Sequence, residues 1–591
     1  MTKKVLILGA GYAGIEAALT LQKKGKRDDI EITIIDKNPY HTLLTELHEV
    51  AGNRISEDGI IIPLKEIFKY TKVSIIQDEI AAVDLDTNLI TSNKNEYKYD
   101  YLVIATGSRP NFFGISGMEE NCFPLWSYRD AIKIREHIKQ CFFMASKESD
   151  PELRKSLLTF VVGGGGFTGV EMIGELAQWV KLLCKEYSIS KREVKLMLVE
   201  ALPKILSVLK QKNINKATKY LTSKLNVEVL VDHAITKVTK DSIELKNSII
   251  IPTNTLIWAA GIKAAKIADH FLLGKDKTSR IEVDEFTKTS YSNVYAVGDA
   301  SAFHADEVTL PALVETALQT SKAAALNILN DIRGVDKKKL KPELHGVMVS
   351  IGSFYAVAEI MKLSLPRFLS ILMKYLINIH YLFGIGGFEQ VAKYLKHELF
   401  YKQQEKFLIE KHYSVPTRAF WLVPIRLFLG YSWLMEGIGK INQGWLTKPL
   451  LAGLPNADAG TSASVSATGE NVFRIISAHT PGWYAWIAQN LVIPNALVFQ
   501  IMIVLTEVAL GLAFISGTFT FIASLGSLAL ITNFILSTGF YDYNYWYIPA
   551  ALCMLGGAGR AFGIDYYLMP YLMRQWRYFV RNRRIKPWLF H

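Results

Sequence analysis

KVLILGAGYAG, residues Lys4–Gly14, joins an apolar run, Val5 to Leu8, to three glycines spaced Gly9-x-Gly11-x-x-Gly14. The run is too short and too quickly broken by glycine to be a signal peptide; it reads as a buried strand, Lys4 to Leu8, turning into a helix from Tyr12. Gly9 permits the tight turn, Gly11 lets backbone approach a pyrophosphate, and Gly14 lets helix pack on strand. Phosphates would then sit on the helix N-terminus, where free N–H groups favour anions. A second strand, Ile30 to Ile35, ends in Asp36, placed to hold a ribose hydroxyl. The pattern recurs: a strand Thr159 to Val162, the glycines Gly164-x-Gly166-x-x-Gly169, a helix through Met172–Ala177, and a strand Lys195 to Val199 ending in Glu200. Gly164 lies 155 residues after Gly9, a whole domain later, so two dinucleotide sites are expected. At the second, Glu200 can accept both ribose hydroxyls but repels a 2′-phosphate, which favours NAD over NADP.

Around these motifs the 591-residue chain is 50% hydrophobic and 21% charged, which excludes global disorder. Residues 1–400 are mixed in the manner of soluble domains, whereas most of 417–563 is apolar. The net charge of +12 gathers at the end, in Arg574, Arg577, Arg581, Arg583, Arg584 and Lys586. Beside apolar segments such a tail faces a membrane rather than a nucleic acid. Four scattered cysteines, Cys122, Cys141, Cys184 and Cys553, exclude a disulfide scaffold and a CxxC site, and no metal-ligand spacing occurs.

YLVIATGSRPN (Tyr101–Asn111), IWAAGIKA (Ile257–Ala264) and SNVYAVGDAS (Ser292–Ser301) resemble the return-strand motifs of flavoproteins with two dinucleotide-binding domains. The resemblance implies FAD on the first fingerprint, held by Gly9, Gly11, Gly14, Asp36, Lys37, Ala105, Thr106, Gly107, Gly298 and Asp299, the last on the ribityl chain. It implies NADH on the second, held by Gly164, Gly166, Gly169, Glu200 and Gly261. The expected divisions are 1–115 and 266–345 for the FAD domain and 116–265 for an inserted NAD domain.

Three further stretches are similar to type II NADH dehydrogenases, single-chain non-pumping NADH:quinone oxidoreductases: DKNPYHTLLTELHEVA (Asp36–Ala51), GGGFTGVEMIGELA (Gly164–Ala177) and LPALVETALQTSKAAALNI (Leu310–Ile328). Their A-Q-x-A-x-Q quinone signature corresponds to Val314-Glu315-Thr316-Ala317-Leu318-Gln319, with Ala317 and Gln319 matching and Glu315 replacing the first Gln. By the same resemblance Glu171 is the acid near flavin and nicotinamide, where a semi-buried carboxyl can relay a proton to the quinone; it could instead only cap or pair within the pocket. Glu175 is expected to be structural, and His41, His48 and His380 to be local hydrogen-bonding residues. Disulfide reductases of this fold need a close cysteine pair, which is absent. Sulfide:quinone reductases use separate cysteines, for which Cys122, Cys141 and Cys184 could be nominated, and apoptosis-inducing-factor-type flavoproteins form a redox-sensing alternative.

Leu365–Gln390 is long enough to span a membrane, but Lys374 inside it and Lys393, Lys396, Lys402 and Lys406 beyond favour an interfacial segment within an amphipathic region 346–416. Spans are expected at Ala419–Ile438, Val492–Ile515, Thr518–Thr538 and Tyr545–Phe562, with an outer loop 441–491 holding a flexible tract from Ala457 to Gly469. RLFLGYSWLMEGIGK (Arg426–Lys440), TEVALGLAFISG (Thr506–Gly517) and GGAGRAFGID (Gly556–Asp565) look like the DoxX family of four-helix membrane proteins over 417–570, followed by a basic tail 571–591. Within the spans, Arg426 and Glu507 are expected at matching depth as an ion pair.

The expected molecule is an α/β two-dinucleotide-binding-domain flavoprotein joined to an all-α four-helix transmembrane bundle. It carries hydride from NADH to FAD and electrons to a menaquinone-type membrane quinone. The expected setting is the cytoplasmic face of the inner membrane, in multi-pass contact with the lipid bilayer. No metal and no nucleic acid are involved; a homodimer and a downstream electron-transfer partner are left open.

Overall fold

The computed structural model describes residues 2–305, 308–360, 363–400, 418–452, 463–465, 471–477, 480–538 and 545–583. The chain divides into two compact units, Met1–Ser414 and Val415–Arg583.

The first unit holds two parallel five-stranded sheets. In one, the strand order is Val294–Ala296, Tyr101–Ile104, Lys3–Leu8, Ile30–Asp36, Ser74–Gln77. Its central strand is covered on both faces, with Val5, Leu6, Ile7 and Leu8 at most 4% exposed, which is why that run is apolar throughout rather than alternating. The second sheet repeats the scheme in the order Phe123–Pro124, Thr255–Trp258, Thr159–Gly163, Lys195–Val199, Glu228–Leu230. The chain leaves the first sheet through Ser108–Pro110 and returns through Ile262–Ala264, and these two segments pair antiparallel.

Both fingerprints form the tight turn that their glycines imply. Gly9 takes φ +100° and Gly164 φ +112°; a Cβ on Gly9 would stand 2.3 Å from the Ala105 carbonyl oxygen. Helices Tyr12–Lys24 and Phe167–Glu186 follow, each starting after a glycine with no side-chain cap, so their first-turn N–H groups stay open.

Past the second sheet, helix Val314–Arg333 packs on helix Tyr12–Lys24. A hairpin of Gly346–Ser350 and Ala356–Ile360 comes next, then helical chain Arg367–Phe400, interrupted at Gly387 (φ 62°, ψ −156°). One face of this last element is buried at Lys374, Leu382, Ile385 and Tyr394; another exposes Phe368, Leu369, Leu372, Leu376 and Ile377. Leu365–Gln390 was expected to be interfacial; Arg367–Glu398 is long and apolar enough to cross a membrane. Lys402 and Lys406 lie outside the described residues.

In the second unit, helices Ala496–Ser516 and Thr520–Thr538 include the stretches of spanning length and hydropathy, Ala496–Ser516 and Thr520–Ser537. The other two expected spans differ. Val423–Asn442 has the length but carries Arg426, Glu436 and Lys440. Tyr545–Phe562 is no continuous helix: Tyr547–Met554 has eight residues, about 12 Å against a hydrocarbon core of about 30 Å, before glycines 556 and 557 turn the chain. Two further differences concern loops. Ala463–Val465, inside the tract expected to be flexible, is a strand paired with Asn471–Arg474, and the described start of the basic tail continues helix Asp565–Arg583; 584–591 lie outside the described residues.

The Arg426–Glu507 pair does not form. Gly430 faces Ile515 and Gly437 faces Val508, close approaches that small residues allow. This register puts Arg426 level with the turn at Gly517 and Glu507 level with Lys440. Arg426 accordingly donates to the carbonyls of Ala558, Ala561 and Phe562 at 2.8, 2.8 and 3.0 Å, groups freed where the short helix ends. Glu507 accepts from Lys440 Nζ at 2.7 Å.

Candidate functional site

Asp36 and Glu200 end equivalent strands and are held in the same way. Asp36 Oδ2 accepts the Ala10 N–H and Oδ1 the Asn38 N–H, both at 2.7 Å. Glu200 Oε2 accepts the Gly165 N–H at 2.5 Å and Oε1 the Leu202 N–H at 2.8 Å. Each carboxylate is thus locked against its glycine loop with lone pairs left for a ribose.

On the first cradle, Thr106 Oγ1 is buried without a partner, an open polar atom beside the glycine turn. Asp299 Oδ2 accepts from Ser108 Oγ at 2.6 Å, and burial raises its pKa. A Cβ on Gly298 would stand 3.0 Å from that of Ala13, so the Gly298–Asp299 turn closes over the first helix. Lys37 is exposed, 3.9 Å from Glu79. His41 was expected to bond locally, but its partners are distant in the chain: Nδ1 lies 3.2 Å from the Ala10 oxygen and Nε2 2.9 Å from the Tyr381 hydroxyl, with burial lowering its pKa to about 4. An uncapped helix N-terminus, an anchored acid and an orphaned hydroxyl suit FAD; the second loop, with Glu200 and an equally uncapped helix, suits NADH. Gly261 (φ +77°) lies under the exposed Phe113 ring.

Glu171 projects from the helix Phe167–Glu186. Its Oε1 accepts both the Ser350 N–H and the Ser350 hydroxyl at 3.1 Å, and its Oε2 lies 3.6 Å from His48 Nδ1. Burial raises its pKa to about 7, despite the opposing Lys374 charge and the Ser350 N–H.

Of the other three expected residues, Gln319 and Glu315 hold the segment that leads into the same strand. Gln319 binds the Glu343 peptide with both amide atoms, and Glu315 meets the His345 N–H and ring. Ala317 is 7% exposed and packs near Gly298. Glu171 therefore does not converge with Glu315 and Gln319 on one point: they grip opposite ends of segment 343–350.

Beneath Glu171 lies a polar interior that the sequence did not announce. Glu46, Glu49, Glu175 and Glu398, each at most 4% exposed, surround Arg54 and Lys374. Arg54 pairs with Glu49 and lies 3.4 Å from Glu175; Lys374 pairs with Glu49 and lies 3.6 Å from Glu46. One signal was available: Glu46, His48 and Glu49 fall within four residues of a stretch bounded by Leu43, Leu44, Val50 and Ala51.

Among the described residues every cysteine is free. Burial pushes the Cys122 thiol to about 12 and Cys141 to about 11, so neither is a ready thiolate for sulfide chemistry.

Residues 3–321 match the family described as pyridine nucleotide-disulphide oxidoreductase. A type II NADH:quinone oxidoreductase of Staphylococcus aureus is 31% identical over 392 residues, covering 65% of this chain and 96% of that one. In fold the chain resembles the NDH2 of Plasmodium falciparum solved in complex with NADH (TM-score 0.62, 19% identity, 70% and 99% of the two chains). It also resembles the sulfide:quinone oxidoreductase of Aquifex aeolicus (TM-score 0.53, 18% identity, 70% and 96%). With both dinucleotide cradles built from its own residues and a relative matched across nearly its whole length, the chain belongs to the pyridine nucleotide-disulphide oxidoreductase family and, within it, to the type II NADH:quinone oxidoreductases.

Proposed function

We propose that this chain is a membrane-bound, non-pumping NADH:quinone oxidoreductase, with FAD on the Gly9 loop and NADH on the Gly164 loop. Bound FAD would supply the two-electron chemistry, taking hydride from NADH and passing electrons to the quinone. The observation that carries the proposal is Glu171: a half-hidden carboxyl with a pKa raised to about 7, on the helix that the NADH loop starts. Such a group holds a proton near neutral pH and can give it to a quinone oxygen. Glu200 orients the NADH ribose and refuses a 2′-phosphate; Asp36, Thr106 and Asp299 orient FAD. Gln319 and Glu315 fix the segment that carries Ser350, and so set the quinone side of Glu171.

We place the division between the FAD and NAD domains at 115 and 265 and the return domain at 266–345. The exposed apolar face of residues 367–377 supports docking of region 346–416 to a bilayer. For 417–570 we propose a DoxX-like bundle. It is supported by the packing of Val423–Asn442 on Ala496–Ser516 and of Thr520–Thr538 on Tyr547–Met554, while the basic residues from Arg574 favour the cytoplasmic side. A menaquinone-type substrate is the proposed acceptor. The test is anaerobic stopped-flow mixing of the purified FAD-loaded full chain with NADH, then with a menaquinone analogue. Flavin bleaching followed by recovery is the expected result, and recovery no faster than without quinone would overturn the proposal.

A further inference from the structure

We propose that His48 is a proton courier between a buried store of carboxyl groups and Glu171. The inference rests on Glu171 being the group that protonates the quinone.

Helix Leu47–Ala51 brings the His48 ring, 2% exposed, between strand Gly346–Ser350 and helix Phe167–Glu186. Its Nε2 lies 3.4 Å from Ser350 Oγ and 3.9 Å from Glu49 Oε1, and its Nδ1 lies 3.6 Å from Glu171 Oε2. Ser350 Oγ is itself 3.1 Å from Glu171 Oε1. One imidazole therefore reaches both oxygens of Glu171 on one side and the acidic interior on the other. Burial beside Lys374 and Arg54 holds the ring neutral, so one nitrogen carries a proton while the other can accept one.

The store is the interior itself. The groups facing His48 and its neighbours are Glu46, Glu49, Glu175 and Glu398, the cations Arg54 and Lys374, and the phenols of Tyr375 and Tyr394. Four carboxyls against two cations leave two negative charges in excess if all ionise, and a low-dielectric interior neutralises such charges. An independent observation agrees: neither oxygen of wholly buried Glu175 is hydrogen-bonded, Oε1 only lying 3.4 Å from Arg54, and Glu46 Oε2, 3.6 Å from Lys374, Glu49 Oε2 and Glu398 Oε2 also lack a hydrogen bond. One oxygen from each of Glu46, Glu49 and Glu398 lies within 4.8 Å of the others. The Lys374 ammonium already occupies that neighbourhood, so protons supply the missing positive charge.

The transfer balances without electrons. As Glu171 gives its O–H proton to a quinone oxygen, His48 Nδ1–H protonates Glu171 Oε2 while Nε2 accepts a proton through Glu49 Oε1, which takes it in the same step from Lys374 Nζ; the carboxyls of the store replace the Lys374 proton. The ring returns to its first tautomer as Nε2–H passes a proton to the Ser350 hydroxyl, Ser350 passes one to Glu171 Oε1, and Glu171 Oε2 returns one to Nδ1. The store loses one proton per turnover and regains it from solvent.

Infrared spectra of the resting, FAD-loaded full chain moved into D2O follow the C=O bands of protonated buried carboxyls with no turnover. The band missing in Glu171→Gln marks Glu171; the band missing in Glu175→Gln marks the store. The expected result is the store band present at neutral pH and a deuterium shift of the Glu171 band slowed at least about tenfold in His48→Gln. A smaller slowing is expected in Ser350→Ala, which decides the matter alone if His48→Gln fails to retain FAD. Equal exchange in wild type and variants overturns the courier, and a stoichiometric divalent metal found by elemental analysis overturns the store. Flavin reoxidation by a menaquinone analogue separates the two levels. If Glu171→Gln is slow but His48→Gln keeps the wild-type rate and solvent isotope effect, only the courier is lost. If Glu171→Gln is as fast as wild type, the assignment beneath it is lost.

Discussion

Gln319 pairs with the peptide of Glu343 as a neighbouring strand would: its Nε2 donates to the Glu343 carbonyl at 2.6 Å and its Oε1 accepts the Glu343 N–H at 3.0 Å. The second glutamine of the quinone signature is thereby spent on backbone. Both bonds sit where segment 343–345 turns into the strand that presents Ser350 to Glu171.

Gln319→Leu should therefore loosen that strand. Two lost hydrogen bonds cost on the order of 1–3 kcal/mol, read as a lower thermal midpoint. Flavin reoxidation by quinone should slow more than flavin reduction by NADH. Glu315→Ala should do the same to a smaller degree, because its partner His345 is exposed. Unchanged reoxidation in the double variant would separate this clasp from the quinone step.

The role proposed for Glu171 would make the quinone step pH-dependent. Its pKa is raised to about 7 in the folded chain, so reoxidation should be fast below pH 7 and fall above it as the proton is lost. The stability contribution has the same direction. A carboxyl raised by folding stabilises fully below its unfolded pKa of about 4.5 and loses that contribution as pH rises through about 7. Thermal midpoints measured from pH 5 to pH 8 should fall more steeply for wild type than for Glu171→Gln, and parallel curves would contradict this.

Glu200 accepts the Gly165 and Leu202 N–H groups, so the residue proposed to choose the cofactor also shapes its loop. Glu200→Ala should lower kcat/KM for NADH about tenfold while raising the NADPH-to-NADH ratio. Equal kcat/KM for NADPH and NADH in the wild-type protein would remove Glu200 from specificity.

In the second unit, double-mutant cycles should couple Lys440 with Glu507 and leave Arg426 independent of both. Neutralising either member of the Lys440–Glu507 pair alone strands a buried charge, a loss on the order of 3 kcal/mol, and Lys440→Met with Glu507→Leu should recover part of it. Arg426→Met should destabilise by uncovering the carbonyls of Ala558, Ala561 and Phe562, with effects that add to those of Glu507→Leu. Unfolding in detergent measures all three.

What was legible in the sequence is local. Gly9 and Gly164 obey a rule written within a few residues, and Asp36 and Glu200 end strands whose lengths are evident. Ser350 and His48 were illegible because their partners are far away in the chain: Ser350 meets Glu171 across 179 positions and His48 across 302. His48 looked like a local hydrogen-bonding residue because nothing near it in sequence shows the cluster it joins. Tyr545–Phe562 misled in another way: composition measures how apolar a stretch is, while Gly556 and Gly557 determine whether it stays helical. Arg426 and Glu507 shared a depth counted from expected ends, but small-residue packing shifted the register by more than two turns.

Ser108 stands opposite Ala264 in the ribbon where the chain leaves one sheet and returns to it. The intervening segment, with the Gly164 loop proposed to hold NADH, thus enters and exits through neighbouring residues, as an inserted cassette does. A short turn joining those residues would close the FAD domain on itself, and a different nucleotide-binding module with adjacent termini could be spliced in their place. Exchanging that module would also remove Glu171, since helix Phe167–Glu186 lies inside the inserted segment, so a replacement would have to bring its own acid to Ser350.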